Sequence, residues 1–134
     1  MTLEPLLAHI REAEGYSATP YRCPAGKLTI GYGTNIEWLD REEAEWLLRH
    51  RLEKAVAEVH RRWPWADRLT EARRSALYDM AYNMGVPGLS NFRKMLAALE
   101  VGDYQTAAAE AKDSRWYRQV GRRAVRLVSM IGEG

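Results

Sequence analysis

The sequence predicts a mainly helical α+β fold of two lobes. Apolar residues recur at helical spacing along most of the chain. Residues 16–34 break that rhythm with tyrosines, a turn signal and an alternating run. A long charged helical segment then separates this stretch from a helical remainder. The expected organisation is one domain over residues 1–134. A small antiparallel β lobe covers about 15–40, a connecting helix about 41–62, and a helical lobe about 63–134 together with the first helix. The 134 residues are 46% hydrophobic and 28% charged. A chain of that size buries roughly two-thirds of its unfolded surface, and its composition excludes disordered, collagen-like and coiled-coil classes.

Each element has a local reason. Thr2 is placed to cap a first helix, with Pro5 tolerated in its first turn. Leu3, Leu6, Leu7 and Ile10 form its apolar stripe, and Gly15 stops it. Pro24-Ala25-Gly26-Lys27 reads as a turn, and Leu28 to Thr34 alternates like a strand. Asp40 with Glu43 makes a capping box at the head of the long helix. Ala44, Leu48, Leu52, Ala55, Val56 and Val59 are its expected buried stripe, and Pro64 ends it. At 1.5 Å per residue the helix is about 35 Å long, enough to join two lobes. Thr70 caps a helix to Gly85, with Leu77, Met80, Ala81 and Met84 inward. Ser90 or Asn91 starts another, stopped by Gly102. Asp103 caps an alanine-rich helix, and Ser114 caps the last stretch, which Gly121 divides.

Charge is uneven. The net charge is +2. Residues 115–126 hold Arg115, Arg118, Arg122, Arg123 and Arg126 and no acid, which suggests an anionic partner. Nucleic acid, a membrane surface and a bacterial wall polymer all qualify. No apolar run reaches the roughly 20 residues that span a bilayer, and no signal peptide is expected. The single cysteine, Cys23, excludes an intrachain disulfide framework and a multi-cysteine zinc site, and points to a reducing compartment.

Chemistry concentrates before residue 35. Glu14 follows Ile10 by four residues and Leu7 by seven, so it falls on the apolar face of the first helix. Burial there disfavours the charged form and suits a general acid. A helix-end glutamate that simply reaches solvent fits the same spacing. In Thr29-Ile30-Gly31-Tyr32-Gly33, the residues Leu28, Ile30 and Tyr32 are expected to pack inward. Thr29, Gly31 and Gly33 share the other face, where bare backbone admits a ligand or marks a bulge. Cys23 by itself fits a small buried hydrophobe. His9, His50 and His60 lack ligand spacing and read as surface residues. No phosphate loop, nucleophile elbow or metal motif is present.

Glu14, Cys23 and Thr29 together form the pattern E-x8-(D/C)-x5-T. With Glu14-Gly15, Tyr21 and Leu28-Thr29-Ile30-Gly31-Tyr32-Gly33, the sequence resembles the phage T4-type lysozymes, a family of endolysin glycoside hydrolases. Asp40 to Val59 resembles the family's interlobe helix. Ala76-Leu77 through Asn83-Met84-Gly85, Arg93-Lys94-Met95-Leu96, Ser114-Arg115-Trp116-Tyr117 and Arg123-Ala124 resemble its C-terminal lobe. The likeness covers nearly the whole chain.

The resemblance implies a lysozyme-like two-lobed fold with the active cleft between lobes. It implies hydrolysis of the β-1,4 bond between N-acetylmuramic acid and N-acetylglucosamine in peptidoglycan. Glu14 would be the general acid, and Cys23 and Thr29 would hold the attacking water, as an inverting hydrolase requires. Asn35, Tyr82, Asn83 and Glu110 would bind substrate along the cleft of the helical lobe. No metal or organic cofactor is implied. The expected partner is the glycan strand, with no nucleic acid, no membrane insertion and a monomeric state. The expected location is the host cytoplasm until release through a holin-type membrane lesion. Better-known members carry Asp where this chain has Cys23, while others carry Cys. Ala13 and Thr34 replace polar or charged supports of the acid, and the acidic partner of Arg123 is expected to be lost. A basic nucleic-acid-binding protein, a non-catalytic wall-binding module and a lytic transglycosylase are the competing readings.

Overall fold

A computed structural model describes residues 2–134 and divides into two compact units, Met1–Trp46 and Leu47–Gly134. In the first unit, α1 (Glu4–Glu14) precedes strands β1 (Ser17–Arg22), β2 (Leu28–Gly31) and β3 (Thr34–Asn35). The strands form one antiparallel sheet in the order β1-β2-β3, so the chain meanders through two hairpins. The first hairpin turns at Pro24-Ala25-Gly26. There the Cys23 amide donates to the Lys27 carbonyl at 2.9 Å and the Gly26 amide to the Cys23 carbonyl at 2.8 Å. The β2 strand is shorter than the alternation suggests, because Gly31 and Gly33 both take positive φ and Tyr32-Gly33 forms the second turn.

The α1 helix starts one residue later than expected. Leu3, not Thr2, is its N-cap, and no side chain caps it. Gly15 closes it through a bond from its amide to the Arg11 carbonyl at 2.9 Å. No residue of α1 is buried, and Leu3, Leu6, Leu7 and Ile10 are exposed. The inward stripe read from their spacing is therefore not found.

The capping box is present. Glu43 N donates to Asp40 Oδ1 at 2.8 Å, and Asp40 N donates to Glu43 Oε1 at 3.3 Å. It opens α2 (Arg41–Arg62), which begins in the first unit and continues in the second. Val59 is buried, while Ala44, Leu48 and Leu52 are exposed. Pro64 does more than end α2. It starts a 3-10 helix, Pro64–Arg68, that the sequence reading missed.

The second unit contains α3 (Glu71–Leu89), α4 (Arg93–Glu100), α5 (Tyr104–Lys112), α6 (Arg115–Val120) and α7 (Arg122–Glu133). Thr70, Asp103 and Ser114 cap α3, α5 and α6 through bonds from Arg73 N, Thr106 N and Tyr117 N. Phe92, not Ser90 or Asn91, is the N-cap of α4; the Ser90 hydroxyl instead donates to the Pro87 carbonyl at 2.7 Å. Gly85 breaks α3 with a non-helical φ of 80°, and Gly121 separates α6 from α7. Leu77, Met80, Leu89, Met95, Leu99 and Ile131 are the large residues at the centre of the core, with Val59. Arg73 sits among them. Its Nε donates to the Ile131 carbonyl at 2.8 Å, an Nη donates to the Gly132 carbonyl at 3.1 Å, and its guanidinium lies 3.5 Å from the Tyr104 ring centroid. A buried cation is tolerated here because it satisfies carbonyls that the end of α7 leaves without partners. Among the described residues, no helix is long and apolar enough to cross a membrane.

Candidate active site

Glu14 is the last residue of α1, and only Gly15 and Tyr16 separate it from β1. Ser17 at the start of β1 pairs with Gly31 at the end of β2. Glu14 is thereby delivered to the second hairpin turn. Tyr16 stacks against Tyr32 of that turn, with ring centroids 5.5 Å apart. A Cβ built on Gly33 would stand 2.5 Å from Glu14 Oε2 and 2.6 Å from its Cδ. The carboxyl therefore lies on bare backbone, an approach only glycine permits. Glu14 is exposed, so of the two readings of its spacing the helix-end glutamate that reaches solvent is the one found. What holds it is the glycine floor, not an apolar pocket.

Thr29 reverses the expected faces of the strand. It is only 4% exposed, while Tyr32, expected inward, is 46% exposed. The cause is the short strand: Tyr32 lies in the turn and leaves the pleat. Thr29 pairs with Tyr21 on one side and Asn35 on the other, at the centre of the sheet. Its hydroxyl donates to the Lys27 carbonyl at 2.9 Å. Asn35 accepts a 2.8 Å bond from the Glu37 amide through Oδ1 and belongs to this sheet, not to the helical lobe where it was expected.

Cys23 sits where β1 passes into the first turn and is partly exposed. Its thiol is held below the ordinary cysteine range, chiefly by a hydrogen bond from the Lys27 backbone, against a smaller opposing effect of desolvation. The Ala25 backbone and the Thr29 side chain lower it further. Hydrogen bonds to sulfur favour its charged form. Cys23 and Thr29, six residues apart in sequence, lie on opposite sides of the first hairpin, next to the Arg22–Leu28 pair. The inert buried thiol that residue type alone favours is replaced by a partly exposed one whose charged form is favoured.

The second unit separates the remaining candidates. Tyr82 is exposed and lines a groove of about 310 Å3 with Leu48, Leu52, Ser75, Tyr78, Asp79 and Arg123. Glu110 lines a different cavity, of about 480 Å3, with Phe92, Arg93, Arg115 and Trp116. Asn83 is exposed on α3. Arg123 does have an acidic partner: its Nε and an Nη reach Asp79 Oδ1 at 2.7 and 2.6 Å. His60 was also misread. It is half-buried and joined to Asp67 and Tyr78. No periodicity reveals such a pairing, because it links residues 18 positions apart on different helices.

A carboxyl at the end of α1 lies on a glycine of the second hairpin turn, beside the small sheet whose central strand carries Thr29. The chain matches the phage lysozyme family over residues 11–129 and belongs to that family. It is 31% identical over 109 residues to an endolysin of Acyrthosiphon pisum secondary endosymbiont phage 1, covering 78% of this chain and 73% of the relative. It is 39% identical over 66 residues to the pre-baseplate central spike protein Gp5 of Enterobacteria phage T4, covering 49% of this chain and 12% of that protein. It is 35% identical over 66 residues to a probable T4-type lysozyme 2 of Dictyostelium discoideum, covering 49% and 39%. The chain thus spans most of the endolysin but a small part of the spike protein.

Proposed function

We propose that the protein is an endolysin that hydrolyses the β-1,4 bond between N-acetylmuramic acid and N-acetylglucosamine of bacterial peptidoglycan. The observation that carries the assignment is the seating of the Glu14 carboxyl on Gly33, in the turn that follows the strand carrying Thr29. Glu14 protonates the leaving glycosidic oxygen. Cys23 and Thr29 accept from and orient the attacking water on the opposite sugar face. A water held apart from the acid gives inversion, whereas retention needs a second carboxyl about 5 Å from the first. Tyr82, Asn83, Asn35 and Glu110 contribute to glycan binding. No cofactor takes part. The protein works as a monomer, accumulates in the host cytoplasm and reaches the wall through a membrane lesion.

Glu14→Gln keeps the shape of the side chain and removes the proton donor. General acid catalysis contributes about 10²- to 10⁴-fold, so lysis of permeabilised cells falls by at least that factor. A folded Glu14→Gln protein that lyses walls at the parent rate refutes the role. Mass spectrometry of the products separates the transglycosylase reading: hydrolysis leaves reducing muramic ends, and transglycosylation leaves anhydro ends.

A further inference from the structure

The lysozyme chemistry makes no use of the arginines that crowd the end of the second unit. Residues 115–126 carry five of them and no acid. Arg122, Arg123 and Arg126 line a concavity of about 470 Å3 with Ser75, Asp79 and Met130. Arg123 is neutralised there by the 2.6 Å contact of an Nη with Asp79. Arg122 and Arg126 are exposed, and among the described residues neither has a hydrogen bond or an ion pair.

Within the protein alone this placement is unfavourable. The helices α1, α2 and α3 open on acids, Glu4, Glu42 with Glu43, and Glu71, as the helix macrodipole prefers. By contrast, α7 opens on Arg122 and Arg123, with no acid in its first turn. Arg122 and Arg126 also stand four residues apart on one helix, where like charges repel. Three cations thus face one carboxylate in a single hollow. Such crowding adds nothing to the fold, and an anionic ligand relieves it.

We propose that Arg122 and Arg126 form a wall-anchoring surface that binds carboxylates on the peptide stems of peptidoglycan and holds the protein on the wall without taking part in cleavage. This rests on the peptidoglycan assignment made above. A guanidinium presents a planar fork of donors that matches a carboxylate. A lipid surface fits less well. A helix that lies in a membrane interface buries its apolar face at the acyl boundary. The apolar face of α7, formed by Ala124, Leu127 and Ile131, is already buried in the core. Duplex DNA is the competing polyanion, and its phosphates attract arginines in the same way.

The test measures binding of the Glu14→Gln protein, which leaves the wall intact, to bacterial sacculi stripped of phosphate polymers. An exposed arginine–carboxylate contact is worth about two- to fivefold in Kd. Joint Arg122→Ala and Arg126→Ala should therefore weaken binding about four- to twenty-five-fold and flatten its dependence on NaCl. Joint Arg49→Ala and Arg61→Ala lowers the net charge equally, at arginines paired with Glu53 and Glu58, and should leave Kd within about twofold. Sacculi whose carboxyls are blocked as methylamides should bind the arginine-intact protein as weakly as the Arg122/Arg126 variant, and that variant should lose nothing further. With Glu14 restored, the same variant should raise KM on sacculi and keep the parent kcat, a split that collapse of α7 would not give. Parent-like binding by the Arg122/Arg126 variant, or an equal loss in the Arg49/Arg61 variant, overturns the anchor and leaves the lysozyme reading standing. A loss seen with duplex DNA or phosphatidylglycerol vesicles but not with sacculi overturns it as well. A folded parent that neither binds nor cleaves sacculi removes the lysozyme reading, and the anchor with it.

Discussion

Gly33 lies directly beneath the Glu14 side chain: a Cβ added there would come within 2.6 Å of the Glu14 carboxyl carbon and 2.5 Å of Oε2. The glycine is also at a φ of 73°, where other residues are strained. Gly31, two residues earlier, shares the strain at 67° but has nothing within 4 Å of its built Cβ. The pair separates backbone cost from site geometry.

Gly33→Ala and Gly31→Ala are therefore expected to lose similar stability, about 1–2 kcal/mol, for placing a side chain at positive φ. Only Gly33→Ala displaces the carboxyl. A 1 Å misplacement of a catalytic group costs on the order of 10²-fold, and lysis by Gly33→Ala should fall by about that much. Gly31→Ala should retain most of its activity. Turbidity clearance, normalised to the folded fraction, measures both. Equal losses in the two variants would remove the glycine floor from the mechanism.

Thr29→Val tests the hydroxyl against the packing. The methyl groups refill the buried site, and the Lys27 carbonyl keeps its bond from the Cys23 amide. Loss of the 2.9 Å bond from Thr29 Oγ1 should cost about 1 kcal/mol in denaturant unfolding. Activity should fall much further than stability, and Thr29→Ser should recover most of it. If Thr29→Val turns over normally, the hydroxyl serves only the sheet.

Arg73 gives a prediction about stability alone. Its guanidinium closes the end of α7 through two carbonyls while lying over Tyr104. Arg73→Met retains much of the volume but leaves the Ile131 carbonyl without that bond. Hydrogen bonds to charged groups are worth about 1.5–3 kcal/mol, so a loss in that range is expected by urea titration. Arg73→Lys should rescue little, because one ammonium cannot reproduce the planar fork and its stacking. A Lys variant as stable as the parent would reduce Arg73 to its charge.

The caps were legible because they are local. Asp40–Glu43, Thr70, Asp103 and Ser114 act within three residues of themselves. Glu14, Cys23 and Thr29 are legible in the sequence as a spacing, and all three fall in the first unit, on α1 and the first hairpin. The orientation of Thr29 was misread because strand alternation was carried through a turn at Tyr32-Gly33. The Arg123–Asp79 and His60–Tyr78 pairs were missed for a different reason. Each joins distant positions on separate helices, and helical periodicity carries no record of such partners.

Cys23 is the residue where this chain departs from the carboxylate form of its family, and its environment makes a directional prediction. The Lys27 backbone, chiefly, favours the charged sulfur, so its folded-state pKa is depressed below the unfolded value. Such a group contributes stability that is fully present above the unfolded pKa and is lost as pH falls through the folded pKa. The same depression gives more thiolate near neutrality than the few per cent of an ordinary cysteine. Alkylation by iodoacetamide should therefore show a pH midpoint below that of a free thiol. If the thiolate is the working base, the activating limb of the lysis profile follows the alkylation midpoint. Cys23→Asp ionises well below pH 7 and should remain active with that limb shifted toward acid, whereas Cys23→Ser removes the accessible anion and should lose most activity. A folded Cys23→Asp protein without activity, together with full activity of the alkylated parent, would take Cys23 out of the site.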